Sequence, residues 1–476
     1  MADIDVLVEE VENSPVGPEV GAFFDFDGTL IDGYSAVMYF RERLKNRDIG
    51  LTEILRTAVE SVNVERRGHD VTELMNIGVG ALAGRSVDEI EEFGDRLFRS
   101  RVAGMVYPEA RVLLEAHRRR GHTVVLASSA TSFQTRAAAL DLGIDHVLCT
   151  EVHEEDGILT GAVAGPILWG ENKADAVREF AEANGIDLDI SYTYSNGGED
   201  VPFLESSGNP RPLNPDSDLE ATAAERDWPV AYLTHRHRHS PENLVRTVAA
   251  YSSMGAGVAL GGVLGLLNRN RATGLEVAAT VGSRLALTTA GVELEVQGEE
   301  NLWAARPAVF VFNHQSQLDV VILAALLRRD FTAVAKKELS RDPFFAPMGW
   351  LADIAYIDRS NSVAAREALA PAVDALTSGQ SLIIAPEGTR SSTPRLLPFK
   401  KGAFHLAMQA GVPMVPVVIR NAGEVLPSHS IFIAKGTVQV AVLPPVSTAK
   451  WKPATVDRHV ESVRTMFVDT LADWPR

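Results

Sequence analysis

At 476 residues the chain is too long for one ordinary hydrophobic core and points to about three domains. Its 46% hydrophobic and 23% charged residues exclude a disordered chain, and its one cysteine, Cys149, excludes an internal disulfide and a Cys-rich metal site. The net charge of −18 is uneven: residues 1–267 carry 44 Asp and Glu against 23 Lys and Arg, whereas residues 268–476 carry 19 against 22, so the rear half is the one suited to an anionic lipid surface.

The opening MADIDVLVEEVENSPVGPE is acidic where a secretory segment would be basic and then apolar, so residues 1–20 read as a short flexible tail. An apolar strand over Gly21 to Phe26 then ends in Asp25-Phe-Asp27-Gly-Thr-Leu30. Side chains two apart on a strand share a face, so Asp25 and Asp27 project together, and Gly28 lets the backbone turn away. One carboxylate there can attack phosphorus while its neighbour protonates the leaving group; the plainer reading is an Asx turn. From Tyr34 to Gly104 apolar and charged residues alternate at helical spacing, as an inserted helical cap would. The basic pairs and runs here, Arg66-Arg67 and Arg118 to Arg120, read as solvated helix charges. A strand over Thr123 to Ala127 leads to Ser128, a helix over Lys173 to Ala183 begins at Lys173, and a strand over Ile190 to Tyr194 leads to Ser195-Asn-Gly-Gly-Glu-Asp200.

These blocks resemble the haloacid dehalogenase superfamily, its phosphoserine phosphatase-like branch above all, over residues 21–233. The resemblance implies a Rossmann-like domain with a helical cap at about 34–104, Asp25 and Asp27 as catalytic residues, and Ser128 and Lys173 holding the transferred phosphate. It also implies Mg²⁺ bound by Asp25, Asp27 through its carbonyl, Asp200 and the residue at 196. Here the chain departs from the family pattern, with Asn196 where an aspartate is usual. An amide oxygen can coordinate Mg²⁺ but neutralises none of its charge.

Residues 234–290 form a connecting segment. Leu233-Thr-His-Arg-His-Arg-His239 reads as a polar linker near a membrane rather than a metal tract. No charged residue occurs from Thr247 to Leu267, a stretch that as a helix would measure about 31 Å. A second helical stretch, Leu275 to Ala290, carries Glu276 and Arg284 and is unsuited to spanning. A two-helix hairpin lying in one leaflet is the expected arrangement, with a single span as the alternative. Gly257, Gly261 and Gly265 recur every four residues and bare one face for close contact, either with the neighbouring helix or with a second copy of the chain in a homodimer.

Residues 291–476 alternate strands and helices, which predicts an α/β sheet with its site at strand ends. The strand Val309 to Phe312 breaks at Asn313 into His314-Gln-Ser-Gln-Leu-Asp319. Residues five apart on one helix diverge, so His314 and Asp319 can meet only if the chain turns between them, as at a strand-to-helix junction. Such a pair suits a base and its orienter; alone, it is equally a satisfied buried histidine. Three further blocks follow: Tyr356-Ile-Asp-Arg359, Pro386-Glu-Gly-Thr-Arg-Ser391 and Val412-Pro-Met-Val-Pro-Val417, flanked by Ala335-Lys-Lys-Glu-Leu339 and Phe399-Lys-Lys-Gly-Ala-Phe404. From Val292 onward this order resembles the 1-acylglycerol-3-phosphate acyltransferases. The helical pair likewise resembles the membrane-seated pair of bacterial members.

The resemblance implies a glycerolipid acyltransferase moving a fatty acyl group from acyl-CoA or acyl carrier protein to lysophosphatidate, giving phosphatidic acid for phospholipid synthesis at the cytoplasmic face of the cell membrane. His314 would deprotonate the acceptor hydroxyl and Asp319 orient it, with no metal or covalent intermediate. Arg359, Glu387, Gly388, Thr389, Arg390 and Lys336 would bind the acceptor phosphate; the residues themselves give Glu387 no role beyond arranging the loop. Two alternatives remain: an anchored Mg²⁺-dependent phosphatase, and an acyltransferase with a non-catalytic regulatory front domain. No nucleic-acid partner is expected.

Overall fold

The computed structural model describes residues 4–46, 72–233, 241–341, 345–357, 370–427 and 430–475. Arg66-Arg67, the histidines at 235–239 and Arg359 lie outside them. The chain divides into two compact units, Met1–His235 and Arg236–Arg476.

In the first unit five parallel strands lie in the order β3-β2-β1-β6-β7, with β1 Gly21–Phe24, β2 Thr123–Thr131, β3 His146–Thr150, β6 Tyr192–Ser195 and β7 Asn209–Pro212. The apolar run GAFF is fully buried because a parallel sheet is covered on both faces. The chain leaves β1 toward β2 and returns on the other side as β6. The carboxyl end of β1 is therefore a switch point, the place where open α/β sheets hold ligands. The helices Ser35–Lys45, Thr72–Gly80 and Val87–Leu97 follow β1, and a hairpin of β4 Val152–Glu155 and β5 Ile158–Val163 bridges to this cap at Ser86.

The opening residues differ from the expected flexible tail. Ile4–Asn13 is a helix whose Leu7 and Val11, four apart and so on one face, are buried in the core beside Ala110 and Leu113. Glu10 pairs with the guanidinium of Arg211 at the end of the sheet. The acidic composition belongs to its solvent face; the apolar stripe decides the structure.

In the second unit a seven-stranded sheet runs β11-β10-β12-β9-β13-β14-β8, with β8 Val292–Gln297, β9 Val309–Phe312, β10 Phe331–Lys336, β11 Ala355–Ile357, β12 Ser381–Ile384, β13 Met414–Ile419 and β14 Gly436–Val442. All neighbours are parallel except β13 and β14. β9 is central and fully buried between β12 and β13.

The helix Pro241–Leu267 is long and apolar enough, by length and composition, to cross a membrane. It packs on a second helical stretch made of Arg271–Val277, a widened turn Ala278–Gly282 and Ser283–Ala290. Of the two readings of the glycine stripe, contact with the neighbouring helix is the one seen within the chain. A Cβ at Gly257 would lie 2.2 Å from the Gly282 Cα, and one at Gly261 would lie 2.3 Å from the Gly274 carbonyl oxygen. With both backbones that close, no second chain can use the same face. Gly261→Leu is expected to destabilise the helical pair by roughly 3 kcal/mol, because the obstructing atoms are backbone and cannot move aside. Gly255→Leu and Gly262→Leu meet open space and are expected to cost less than half as much, by thermal unfolding in detergent.

Candidate active sites

At the carboxyl end of β1, Asp25 continues the sheet by donating its N–H to the Tyr194 carbonyl. Its carboxylate is buried, and Oδ1 accepts from Lys173 Nζ at 2.6 Å. Lys173 is 2% exposed, enters on the first turn of the helix Glu171–Asn184, and also reaches Asp200 Oδ2 at 2.6 Å. Ser195 Oγ donates to that same Asp200 oxygen at 2.6 Å. One ammonium therefore serves two carboxylates. Burial opposes its charge, but Asp200 and Asp25 outweigh burial and hold Lys173 protonated. Burial pushes Asp25 up to about 6, Lys173 pulling it back and Asp200 pushing it further.

Asp27 sits at the entrance to the cap, where Oδ1 accepts the Ser35 N–H at 2.6 Å and Oδ2 the Ser35 hydroxyl at 3.0 Å. Burial lifts its pKa to about 7, against the pull of Ser35. Register places Phe24 level with Leu126, so Ser128 lies one residue beyond Asp25 on the neighbouring strand. It is buried, and its oxygen accepts the Ala130 N–H at 3.1 Å, leaving the hydroxyl proton available to donate.

Asn196 lies opposite. Its amide packs on the bare Cα of Gly28, where φ is +81° and a Cβ would lie 2.3 Å from Nδ2, so only glycine fits. Thr29 Oγ1 stands between Asn196 Oδ1, at 3.1 Å, and Asp25 Oδ2, at 3.2 Å. Its single proton satisfies one of these oxygens, which leaves an oxygen-lined spot able to take a hard cation. The residues fit Mg²⁺ with little charge. Among the described residues no three His, Cys, Asp or Glu side chains gather around one point. The sequence reading missed Thr29, Ser35 and Ser195, and also Glu199, which burial followed by Asp200 pushes up to about 7. The signal was a hydroxyl beside each acidic block.

In the second unit β9 hands on to Asn313, whose side chain extends the ladder: Nδ2 donates to the Ile419 carbonyl and Oδ1 accepts its N–H, each at 2.7 Å. The chain then turns into the helix Leu318–Leu327, bringing His314 and Asp319 together. His314 Nδ1 lies 2.8 Å from Asp319 Oδ2, which also accepts the N–H groups of Gln315 and Ser316 at 2.8 Å each. Asp319 is wholly buried, whereas the His314 side chain is 20% exposed. Three donors on one oxygen fix the carboxylate, so the carboxylate fixes the ring. A proton on Nδ1 leaves Nε2 free to accept another.

The Pro386 to Ser391 block closes on the backbone of His314. Glu387 Oε1 accepts the His314 N–H and Oε2 the Leu397 N–H, each at 2.8 Å, and Ser391 N–H donates to the His314 carbonyl at 2.7 Å. Each Glu387 oxygen thus accepts an N–H group of the chain, as a loop-arranging residue would. Burial lifts it to about 7 although both N–H groups favour the anion. Gly388 turns with φ +74°, Thr389 is exposed, and Arg390 has Nη1 buried without a hydrogen-bond partner among the described residues. Ala333 is level with Ile383, and Ile383 with Phe310, so Lys336 emerges at the same sheet edge as Asn313, two strands away or about 10 Å. There Lys336 pairs with Glu338 at 3.3 Å.

Comparison with known proteins finds one family match in each unit. The family described as haloacid dehalogenase-like hydrolase matches residues 22–205, and the family described as Acyltransferase matches residues 293–420. The chain is 32% identical over 281 residues to the inhibition of morphological differentiation protein of Streptomyces azureus, covering 56% of this chain and 99% of that one. It is 38% identical over 190 residues to a 1-acyl-sn-glycerol-3-phosphate acyltransferase of Saccharomyces cerevisiae, covering 38% of this chain and 61% of the relative. Acyltransferases of this name from Cocos nucifera and Ovis aries are matched over 62% and 66% of their length. Among solved structures, the 1-acyl-sn-glycerophosphate acyltransferase of Thermotoga maritima is similar at 24% identity and a TM-score of 0.41, over 48% of this chain and 97% of that one. The chain belongs to the family of the Streptomyces azureus protein, and it joins an N-terminal haloacid dehalogenase-like hydrolase domain to a C-terminal acyltransferase domain.

Proposed function

We propose that the second unit transfers a fatty acyl group from an acyl thioester to the free hydroxyl of a 1-acylglycerol 3-phosphate, forming phosphatidic acid. The observation that carries this reading is the His314–Asp319 pair at 2.8 Å, with the carboxylate buried and the ring reaching solvent. His314 Nε2 takes the proton of the acceptor hydroxyl as its oxygen attacks the thioester carbonyl. The tetrahedral centre collapses, the C–S bond breaks, and the proton passes from His314 to the departing thiolate. Asp319 keeps the tautomer and stabilises the imidazolium formed on the way. Arg390, Arg359 and Lys336, with the Gly388-Thr389 turn, hold the acceptor's phosphate. Purified protein given labelled acyl-CoA and lysophosphatidate or glycerol 3-phosphate is expected to acylate lysophosphatidate and leave glycerol 3-phosphate unchanged; no product with either would defeat the reading.

The substrate is a lipid, and the helix Pro241–Leu267 supplies a place to meet it. Leu260, Val263, Leu266 and Leu267 are 48%, 54%, 67% and 74% exposed, an apolar face suited to hydrocarbon. Arg269 and Arg271 follow at its end, where headgroups would lie. The unit therefore sits on the cytoplasmic leaflet.

The first unit supports a second reading, phosphomonoester hydrolysis, on the strength of the Asp25–Lys173–Asp200 cluster. Asp25 attacks phosphorus and the leaving oxygen departs with the proton of Asp27, whose carboxyl burial raises to about 7; Asp27 then takes a proton from water, whose oxygen attacks the phosphoryl group on Asp25 and releases inorganic phosphate and the free carboxylate. Lys173 and the Ser128 hydroxyl hold the phosphoryl oxygens. Asp25, the Asp27 carbonyl, Asn196 and Asp200 would hold Mg²⁺, which when bound offsets charge on the transferring phosphate.

A further inference from the structure

We propose that Lys400 is a further acceptor-binding residue of the acyltransferase site, its ammonium forming with Arg390 a two-cation site for a phosphomonoester; this rests on the acyl-transfer reading above. Lys400 follows the buried ring of Phe399, and its N–H donates to the Pro386 carbonyl at 2.7 Å, so the base of its side chain is fixed to the Pro386 to Ser391 block. From there the stem runs back across Gly388. A Cβ built on Gly388 would lie 3.0 Å from Lys400 Cδ, 2.9 Å from Cε and 2.8 Å from Nζ. The last three atoms of the lysine fill the space that a side chain at 388 would need. The ammonium consequently lies beside the residue next to Glu387, whose carboxylate holds the His314 N–H.

The charges nearby make this placement informative. Lys401 turns away to Asp457, 2.7 Å distant, whereas Lys400 forms no ion pair among the described residues. Arg390, two residues beyond Gly388, has its buried Nη1 without an acceptor among those residues. A desolvated guanidinium nitrogen lacking an acceptor is costly, and an anion at the loop removes that cost. The alternative is an ordinary solvated lysine. Lys400 is exposed, so its ammonium is open to a ligand while its stem is held along the turn. Arg390 offers a planar fork and Lys400 a point charge, the combination suited to a dianionic phosphomonoester with three free oxygens. A phosphodiester headgroup, with one charge and two free oxygens, satisfies only part of it. Lys400 thus sets headgroup specificity.

Steady-state acyl transfer by the full chain in mixed micelles tests this, comparing wild type, Lys400→Met and Lys400→Arg with lysophosphatidate and, as the diester, lysophosphatidylglycerol. Lys400→Met keeps the stem and removes the charge. It is expected to raise KM for lysophosphatidate about ten-fold or more with kcat within two-fold, and to narrow the preference over the diester by a similar factor. Lys400→Arg is expected to recover most of the loss. An unchanged KM in Lys400→Met, or a lower kcat at unchanged KM, would overturn the proposal. A wild-type protein that acylates neither lipid overturns the acyl-transfer reading itself, and does so before any substitution is made.

Discussion

His314→Ala is expected to lower acyl transfer by a factor on the order of 10²–10⁴, the range a positioned general base contributes, while leaving the fold intact. The fold should survive because the imidazole is partly exposed and the chain around it is held by backbone contacts. The N–H of residue 314 would still reach Glu387, and its carbonyl would still accept from Ser391. Asp319→Asn should fall in the same range for a different reason. The amide oxygen can take the place of Oδ2 and accept the same three N–H groups, since Oδ1 has no partner among the described residues, but the side chain then carries no charge to stabilise the imidazolium. Rates measured at saturating lysophosphatidate, with circular dichroism and thermal unfolding as controls, separate lost chemistry from lost structure. A His314→Ala protein with near-normal rate would remove His314 as the base, and with it the mechanism drawn from the pair.

Much of this site was legible because its geometry is local. The strand Val309–Phe312, the break at Asn313 and the five-residue spacing to Asp319 lie within eleven residues, and a strand-to-helix turn is nearly the only way to bring the pair together. Glu387 was not legible, because its role is to bind backbone N–H groups at His314 and Leu397, contacts 73 and 10 residues away that carry no residue-type signal. The same limit applies to the opening helix. Acidic composition predicts a tail, but Leu7 and Val11 share a face that the core accepts, so tertiary burial overrides composition. The glycine stripe was read as a bare face, and only the position of Gly274 and Gly282 reveals what covers it.

Asn196→Asp is expected to raise Mg²⁺-dependent phosphate release from small phosphomonoesters at least about ten-fold, the equivalent of about 1.4 kcal/mol in transition-state stabilisation. The substitution is close to isosteric. It exchanges the Nδ2 that packs on Gly28 for an oxygen and keeps the Oδ1 that faces Thr29. The change is therefore one of charge. Lys173 already divides one positive charge between Asp25 and Asp200, so a neutral residue at 196 leaves Asp25 as the anionic oxygen donor on the Thr29 side. Added there, a second carboxylate strengthens cation binding and brings the cation closer to full occupancy at millimolar Mg²⁺. Without the cation the same carboxylate repels Asp25, so Asn196→Asp should also lower the unfolding temperature of the first unit in chelator and regain it with Mg²⁺. Asp25→Asn must abolish release in both backgrounds, since no other side chain there is proposed to attack phosphorus. If Asn196→Asp responds to Mg²⁺ in unfolding but releases no phosphate, the first unit binds a cation without hydrolysing monoesters, and a regulatory role replaces the catalytic one. If wild type and Asn196→Asp release phosphate at the same rate, charge at 196 is not what limits the site.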